Sequence, residues 1–551
     1  MGDKQLHALS PLPHADDAQG GGGEMSLQWC RKSLVFVFAG LMIASGQAAE
    51  PVLLGNQSCA TSTCHGGVIS SGPAWNHSLS TWIAKDPHAG AGLLLRDQDS
   101  RQIILRLNPA AADSDDVFDN VLRERCISCH VTVAAEDTRA GEQLPNAVLA
   151  TGVSCESCHG AAEAWLGEHV QADWHGDKRF ATSTGMRDTE SVIGRAATCV
   201  RCHVGSRTAD GMVRDMNHDL IAAGHPALRF DLLLYNENMP RHWDASSEAE
   251  NAFQQSAIRV RDVGRAMNLA ASLELSAQRA VDHLNTRESV SLASNQVPWP
   301  ELADYDCFAC HQSLDFRRAE STVVSSGVPI WNAWSTVRQL AITPAAMASL
   351  SPMRSDAERI AKLLPVKAKE WRSNAVALAS QEVSPSERLN QIRDELLQVR
   401  KLSWYEAAIQ YLRLDAVQRD LAKDPDKAVV AEQLAKDLSM VEKTLRFDPD
   451  RLKKQRGRYH SPARFDVNKF LEAMNAALHT ALNPTIDANP ASDANPASDA
   501  NPASDADPAS DANPASDADP ASDASSAKSA NSANTARNLS IFLSRSAASQ
   551  P

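Results

Sequence analysis

Ten of the eleven cysteines in this 551-residue chain fall into five pairs, and the residue after the second cysteine of every pair is histidine. Four pairs have the spacing Cys-x-x-Cys-His: Cys126/Cys129/His130, Cys155/Cys158/His159, Cys199/Cys202/His203 and Cys307/Cys310/His311. The other, Cys59/Cys64/His65, is stretched to Cys-x4-Cys-His. Two thiols a few residues apart can form thioethers with the two vinyl groups of one porphyrin, while the adjacent histidine reaches the iron from one side. The pattern predicts five haem c groups, with His65, His130, His159, His203 and His311 as proximal ligands. Zinc knuckles share the Cys-x-x-Cys spacing but place no requirement on the next residue. Disulfide scaffolds belong to shorter, cysteine-denser chains. In the first motif the longer loop must bulge to bring both sulfurs to one ring.

The opposite face of each iron needs its own ligand. Thirteen histidines lie between Glu50 and Ser335, and removing the five motif histidines leaves His77, His88, His169, His175, His218, His225, His242 and His283. Eight candidates exceed five irons, so every haem can be bis-histidine, low-spin and closed to substrate. Met186, Met212, Met216 and Met239 are alternative ligands of a kind that raises the potential.

The elements that position these groups divide the chain unevenly. Arg31 and Lys32, the apolar run Leu34 to Ile43 and the small residues through Ala49 have the layout of a secretory signal, with Met25 as a second candidate start. The run is too short to span a bilayer. Cys30 would leave with this leader, which accounts for the odd cysteine, and an exported chain carrying these motifs points to a periplasm. Residues 50–335 hold every motif in a stretch rich in Gly, Pro and His, where haems would fill much of the core and little regular structure is expected. Within it, Phe253, Ala257, Val260, Met267 and Ala270 recur at helical spacings. Residues 336–482 read as a haem-free helical region. Ser384-Pro385-Ser386-Glu387 is a capping box ahead of an apolar face at Leu389, Ile392, Leu396 and Val399, and further helices are expected over 404–422, 427–446 and 466–482. Residues 483–551 read as a disordered acidic tail, in which Asp-Ala-Asn/Asp-Pro-Ala-Ser repeats six times from Asp487 to Ser522. The expected fold class is mainly α with much irregular structure.

Several segments resemble the multihaem cytochrome c-554/c-552 family beyond the attachment motifs themselves. They are Trp82-Ile83-Ala84-Lys85-Asp86-Pro87-His88-Ala89, Gly152-Val153-Ser154-Cys155-Glu156-Ser157-Cys158-His159-Gly160, Met216-Asn217-His218-Asp219-Leu220-Ile221-Ala222-Ala223-Gly224-His225-Pro226, Met239-Pro240-Arg241-His242-Trp243 and Asp306-Cys307-Phe308-Ala309-Cys310-His311. The resemblance covers roughly residues 55 to 335. It implies an exported, mostly helical electron carrier with closely packed haems and distal histidines donated from elsewhere in the chain. Carried over by position, His88, His169, His218, His225 and His242 become the distal candidates, with His77, His175 and His283 in reserve. The sequence does not say which serves which iron. Two departures stand out: the Cys-x4-Cys-His spacing, and Gln312 where many relatives have a second histidine.

The functional expectation is one-electron transfer between redox partners, with no catalytic residue assigned. The alternative is a multihaem oxidoreductase acting on a small nitrogen or sulfur compound (nitrite, hydroxylamine, tetrathionate) at one five-coordinate iron. Such an iron would need an Arg, His and Tyr set facing it; Arg229, Arg241 and Tyr235 lie near the His218 to His242 segment, but propionate pairing or an ordinary surface position explains them better. A third reading is a redox subunit docked into a larger complex through its helical region and tail. The formal charge of −14 and the lack of a basic stripe give no reason to invoke nucleic acid.

Overall fold

In the computed structural model the described residues are 52–69, 71–134, 144–171, 174, 184–207, 212–243, 256–288, 299–307, 354–398, 402–445 and 465–483. They belong to one unit, Pro51–Pro551. The expected leader within residues 1–49, His175, Cys310, His311 and the repeat tail lie outside the described residues.

The chain is mainly α. Among the described residues three α-helices precede the second motif: α1 (Ser78–Lys85), α2 (Gln98–Leu107) and α3 (Asp115–Arg125). Side chains fix where α2 and α3 begin, since Asp97 and Ser114 accept the backbone N–H groups of Ser100 and Val117. Ile104, Phe118, Leu122, Ile127 and Leu149 bury a small apolar core beneath them. The fourth motif closes helix α4 (Val192–His203), capped by Ser191. The described strands are two antiparallel residue pairs, Ser206–Arg207 with Val213–Arg214.

Helix α5 (Ala257–Glu288) is 32 residues long. It buries apolar residues at nearly every turn, from Ile258 through Val263, Leu269 and Leu273 to Ala280. A helix apolar over most of its circumference must be surrounded. Here α4, α6 (Arg354–Ser380) and α8 (Trp404–Leu421) pack directly against it, and α7 (Pro385–Gln398), α9 (Ala428–Leu445) and α10 (Val467–Leu482) pack in turn on α8. The helices after residue 354 do not form a separate core. Ala196 and Val200 of α4, which carries the fourth motif, share one hydrophobic cluster with Leu389, Tyr405, Val441 and Phe470.

The expected helices over 404–422, 427–446 and 466–482 stand within one residue of the observed bounds. At α7, the Ser384 hydroxyl accepts the Glu387 N–H, as its spacing implies. A reciprocal capping box also forms at Ser403 and Glu406.

Asp420, in the last turn of α8, caps α5 from a distant part of the chain. Its carboxylate accepts the Ser256 hydroxyl at 2.8 Å and the N–H groups of Ala257 at 2.6 Å and Ile258 at 3.1 Å. Replacing Asp420 by Ala should cost about 1–2 kcal/mol, the upper range for a lost cap. The expected result is an earlier guanidinium unfolding midpoint by circular dichroism. An unchanged midpoint would show that the cap contributes nothing.

Candidate functional site: five paired-cysteine motifs and their facing histidines

The second and third motifs sit on short helical turns, and the fourth on the last turn of α4, because their spacing suits one turn. In the second motif the His130 N–H donates to the Cys126 carbonyl at 3.2 Å, closing a single helical turn. The stretched first motif makes the same closure over two more residues, with His65 N–H donating to the Cys59 carbonyl at 3.3 Å. Asn76 holds the enlarged loop from outside, donating to the carbonyls of Ser62 and Cys64 at 3.1 and 3.0 Å. Gly66 is needed there, since a Cβ at that position would lie 2.1 Å from the Ala60 carbonyl oxygen. The bulge that the spacing demands is therefore a compact, hydrogen-bonded loop.

Distant segments bring a second histidine to each of four motif histidines. The ring centres of His65 and His169 are 6.2 Å apart, those of His203 and His88 5.9 Å, His130 and His225 6.2 Å, and His159 and His242 6.4 Å. An imidazole nitrogen sits about 2.0 Å from a bound first-row metal and roughly 1.2 Å from its own ring centre, so two rings on one ion have centres roughly 6.3 Å apart. All four pairs lie within about half an ångström of that span.

The outer ring nitrogens strengthen this reading. Nδ1 is bonded to a backbone carbonyl in His65 (Trp75, 2.7 Å), His130 (Ala91, 3.1 Å), His169 (Leu166, 2.6 Å), His225 (Pro226, 2.9 Å) and His242 (Pro240, 3.3 Å). His88 differs, because its Nδ1 lies 2.8 Å from the carboxylate of Asp86. A ring that donates through Nδ1 presents Nε2 as a bare acceptor, the form a metal requires. Burial also favours the neutral form of five of the motif and facing imidazoles. It pulls the pKa of His159 down to about 4 and that of His203 down to about 3, and it lowers those of His130, His225 and His242. At His88 burial also works downward, but the hydrogen bond and charge of Asp86 outweigh it and the pKa is raised.

Local structure explains how His88 arrives. Asp86-Pro87 begins a short 3-10 turn, with the Asp86 carboxylate accepting the His88 N–H. The His88 carbonyl then accepts the Val153 N–H, which lies just before the third motif. That approach requires Gly152, at φ +55°, where a Cβ would fall 2.4 Å from the Ala89 carbonyl oxygen.

The remaining candidates divide. The His218 N–H donates to the Glu301 carboxylate at 2.8 Å, which places His218 beside the segment leading into Cys307. His283 stacks on Trp299, and Nδ1 of His77 is bonded to the Thr81 hydroxyl. Met212 is engaged elsewhere, its sulfur 2.7 Å from Arg214 Nη2.

Neighbouring motifs touch. The thiols of Cys59 and Cys155 lie side by side, as do those of Cys129 and Cys202. Cys158 lies within electrostatic reach of Cys199 and Cys202. His203 and Cys307 line one cavity. Inside the third motif, the buried Glu156 accepts the N–H groups of Leu54, Gly55 and Ala162 at 2.8–2.9 Å, which ties the run into the first motif against the third.

Sequence reasoning passed over two features. Arg187, Arg201 and Arg214 crowd these motifs. Burial first, and then the charges of the other two, pull the Arg187 pKa down to about 10. Arg214 Nη1 is buried without a hydrogen-bond partner. Such a cluster suits an anion, and each haem carries two propionates, so the chain's residues fit the group their motifs imply. The second feature is Tyr405 of α8. It is fully buried, accepts from Arg229, and lies 3.7 Å from the Cys307 sulfur, so the helical region forms a wall of the fifth site. Neither feature has a local spacing signal, because each depends on contacts between remote segments.

Residues 58–160 match the family model described as cytochrome c554 and c-prime. The matched stretch includes the first three motifs and supports a cytochrome c family. No curated protein and no solved structure matches the chain.

Proposed function

We propose that this chain is an exported pentahaem c-type cytochrome that carries electrons between redox partners through closely packed bis-histidine haems. The single observation that carries this reading is the set of four histidine pairs, each separated by the span of one iron and each drawn from remote segments. On this reading His169 faces the iron of the first motif, His225 that of the second, His242 that of the third and His88 that of the fourth. His218 is the assignment for the fifth, on the strength of its link to Glu301.

Each haem, when bound, supplies a one-electron iron couple whose potential follows its ligands and surroundings. The chain's residues do the rest. Paired imidazoles close both axial positions at the four sites. Carbonyls and Asp86 orient the rings through Nδ1, and the buried arginines offer counter-charge for propionates. The contacts between motif cysteines support a spatial order of first, third and fourth, with the second and fifth each adjoining the fourth. Trp75, 48 % exposed and edge-on to His65, puts the first site near the surface, where a redox protein can approach. No helix among the described residues is long and apolar enough to cross a membrane.

Mass spectrometry of the mature protein should find five haems, and electron paramagnetic resonance of its oxidised form should find low-spin iron throughout. The ring planes add detail. His65 and His169 are 21° apart, whereas the other pairs stand at 72°, 86° and 82°. Near-parallel axial imidazoles split the iron π orbitals and give a rhombic signal, while near-perpendicular ones leave those orbitals almost degenerate and give a strongly anisotropic one. Among these four sites we expect one signal of the first kind and three of the second. A stoichiometric high-spin signal that shifts with added nitrite or hydroxylamine would replace the carrier by the oxidoreductase.

A further inference from the structure

A cavity of about 500 Å³ lies among α5, α6, α7 and α8. No cysteine or histidine is among its described lining residues, so it is distinct from the spaces between the motifs. Its volume is within the roughly 300–1,000 Å³ of small-molecule sites. The wall is two-sided. Trp371, Leu378, Ile409 and Leu412 supply an apolar face, and Arg261, Arg265, Arg388 and Arg413 supply a cationic one.

Three carboxylates also line the cavity, and each is held by an arginine: Asp231 by Arg261, Asp262 by Arg388 and Glu395 by Arg413. The lining holds four guanidiniums and three carboxylates, and Arg261 is bound to Asp415 as well, at 3.1 Å. Arg388 has a second feature. Its side chain is 10 % exposed and its Nε is buried with no hydrogen-bond partner. A buried guanidinium donor without an acceptor costs stability unless a ligand or water satisfies it.

We propose that this cavity binds a small organic anion, an aromatic or alicyclic body bearing a carboxylate or sulfonate, with the ring against Trp371 and Ile409 and the anionic group toward Arg388 and Arg265. The electrostatics agree, since burial and the charge of Arg413 together outweigh Asp231 and pull the Arg265 pKa down to about 10, a strain that a bound anion would relieve. The site does not depend on the haem assignment. It does adjoin the fourth motif, because Phe230 forms part of the wall and stacks on His203 with ring centres 5.8 Å apart.

The test is isothermal titration of the full mature holoprotein with naphthalene-1-sulfonate, and separately with uncharged naphthalene. The expected result is one sulfonate per chain, with naphthalene at least roughly tenfold weaker. Arg388→Gln and Gln391→Glu, the second adding a like charge without breaking an ion pair, should each weaken the sulfonate by roughly tenfold or more. Ala266→Phe, which fills the cavity from α5, should abolish binding. Circular dichroism and haem absorbance identify variants that remain folded, and Gln391→Glu keeps the test available where Arg388→Gln does not fold. No binding to the wild type, equal binding of the neutral ring, or binding untouched in a folded charge or cavity-filling variant would each overturn the proposal.

Discussion

In a His169→Ala variant, one haem of the oxidised protein is expected to become high-spin, and the signal that disappears should be the rhombic one. The reasoning starts from packing. His169 is held edge-on between Trp165 and Trp174 at 5.5 and 6.3 Å, with Nδ1 bonded to the Leu166 carbonyl. Removing the imidazole leaves a ring-shaped gap over the first site, and the near-parallel geometry with His65 belongs to that site alone among the four pairs. Added imidazole should enter the gap, restore low-spin iron and return the signal. The effect is a complete change of spin state at one iron, which absorbance and electron paramagnetic resonance both read. If a strongly anisotropic signal were lost instead, the pairing of His169 with His65 would be wrong. A variant that stayed fully low-spin without imidazole would show that another group already faces that iron.

The paired-cysteine motifs stand out in the sequence because the chemistry they imply is local: two sulfurs and an imidazole must reach one ring, and a few residues suffice to encode that. Helix positions after residue 400 were legible for a similar reason, since hydroxyl and carboxylate caps and apolar periodicity act within one or two turns. The partner of each motif histidine was not. His225 reaches His130, and His242 reaches His159, across more than eighty residues, and which carbonyl fixes which ring emerges only after the chain has folded. The helical region shows the same limit. Its periodicity announced helices but could not reveal that Tyr405 would rest on Arg229 and Cys307, or that α4 and α8 would share a core. Asp86 lies between these extremes. Asp-Pro-His announces a turn with an acidic cap, but only the folded chain shows that the same carboxylate also holds the imidazole.

That double role makes Asp86→Asn the sharper probe of tuning. The Asp86 side chain is 3 % exposed and accepts both the His88 N–H at 3.0 Å and its Nδ1–H at 2.8 Å. Asparagine can keep both bonds through its amide oxygen, so the ring should stay in place while the negative charge is lost. A carboxylate on the outer nitrogen makes the imidazole a stronger electron donor and favours the oxidised metal. At an effective dielectric of about 20, a unit charge roughly 7 Å from the iron is worth roughly 2 kcal/mol. That corresponds to on the order of 100 mV for a one-electron couple, upward in the variant. Spectropotentiometric titration should therefore show one couple of the set moving up and the others staying put. The sign with pH is also fixed. Burial works to raise the Asp86 pKa, but the hydrogen bonds from His88, together with the charge this ring can carry in the metal-free chain, outweigh it and hold the carboxyl below its usual range. The carboxylate is then ionised from about pH 5 to 8, and the gap between wild type and variant should stay constant across that window. A gap that closed toward pH 5 would mean that Asp86 takes up a proton there. No shift at all would separate His88 from the fourth haem, which is the assignment most dependent on Asp86.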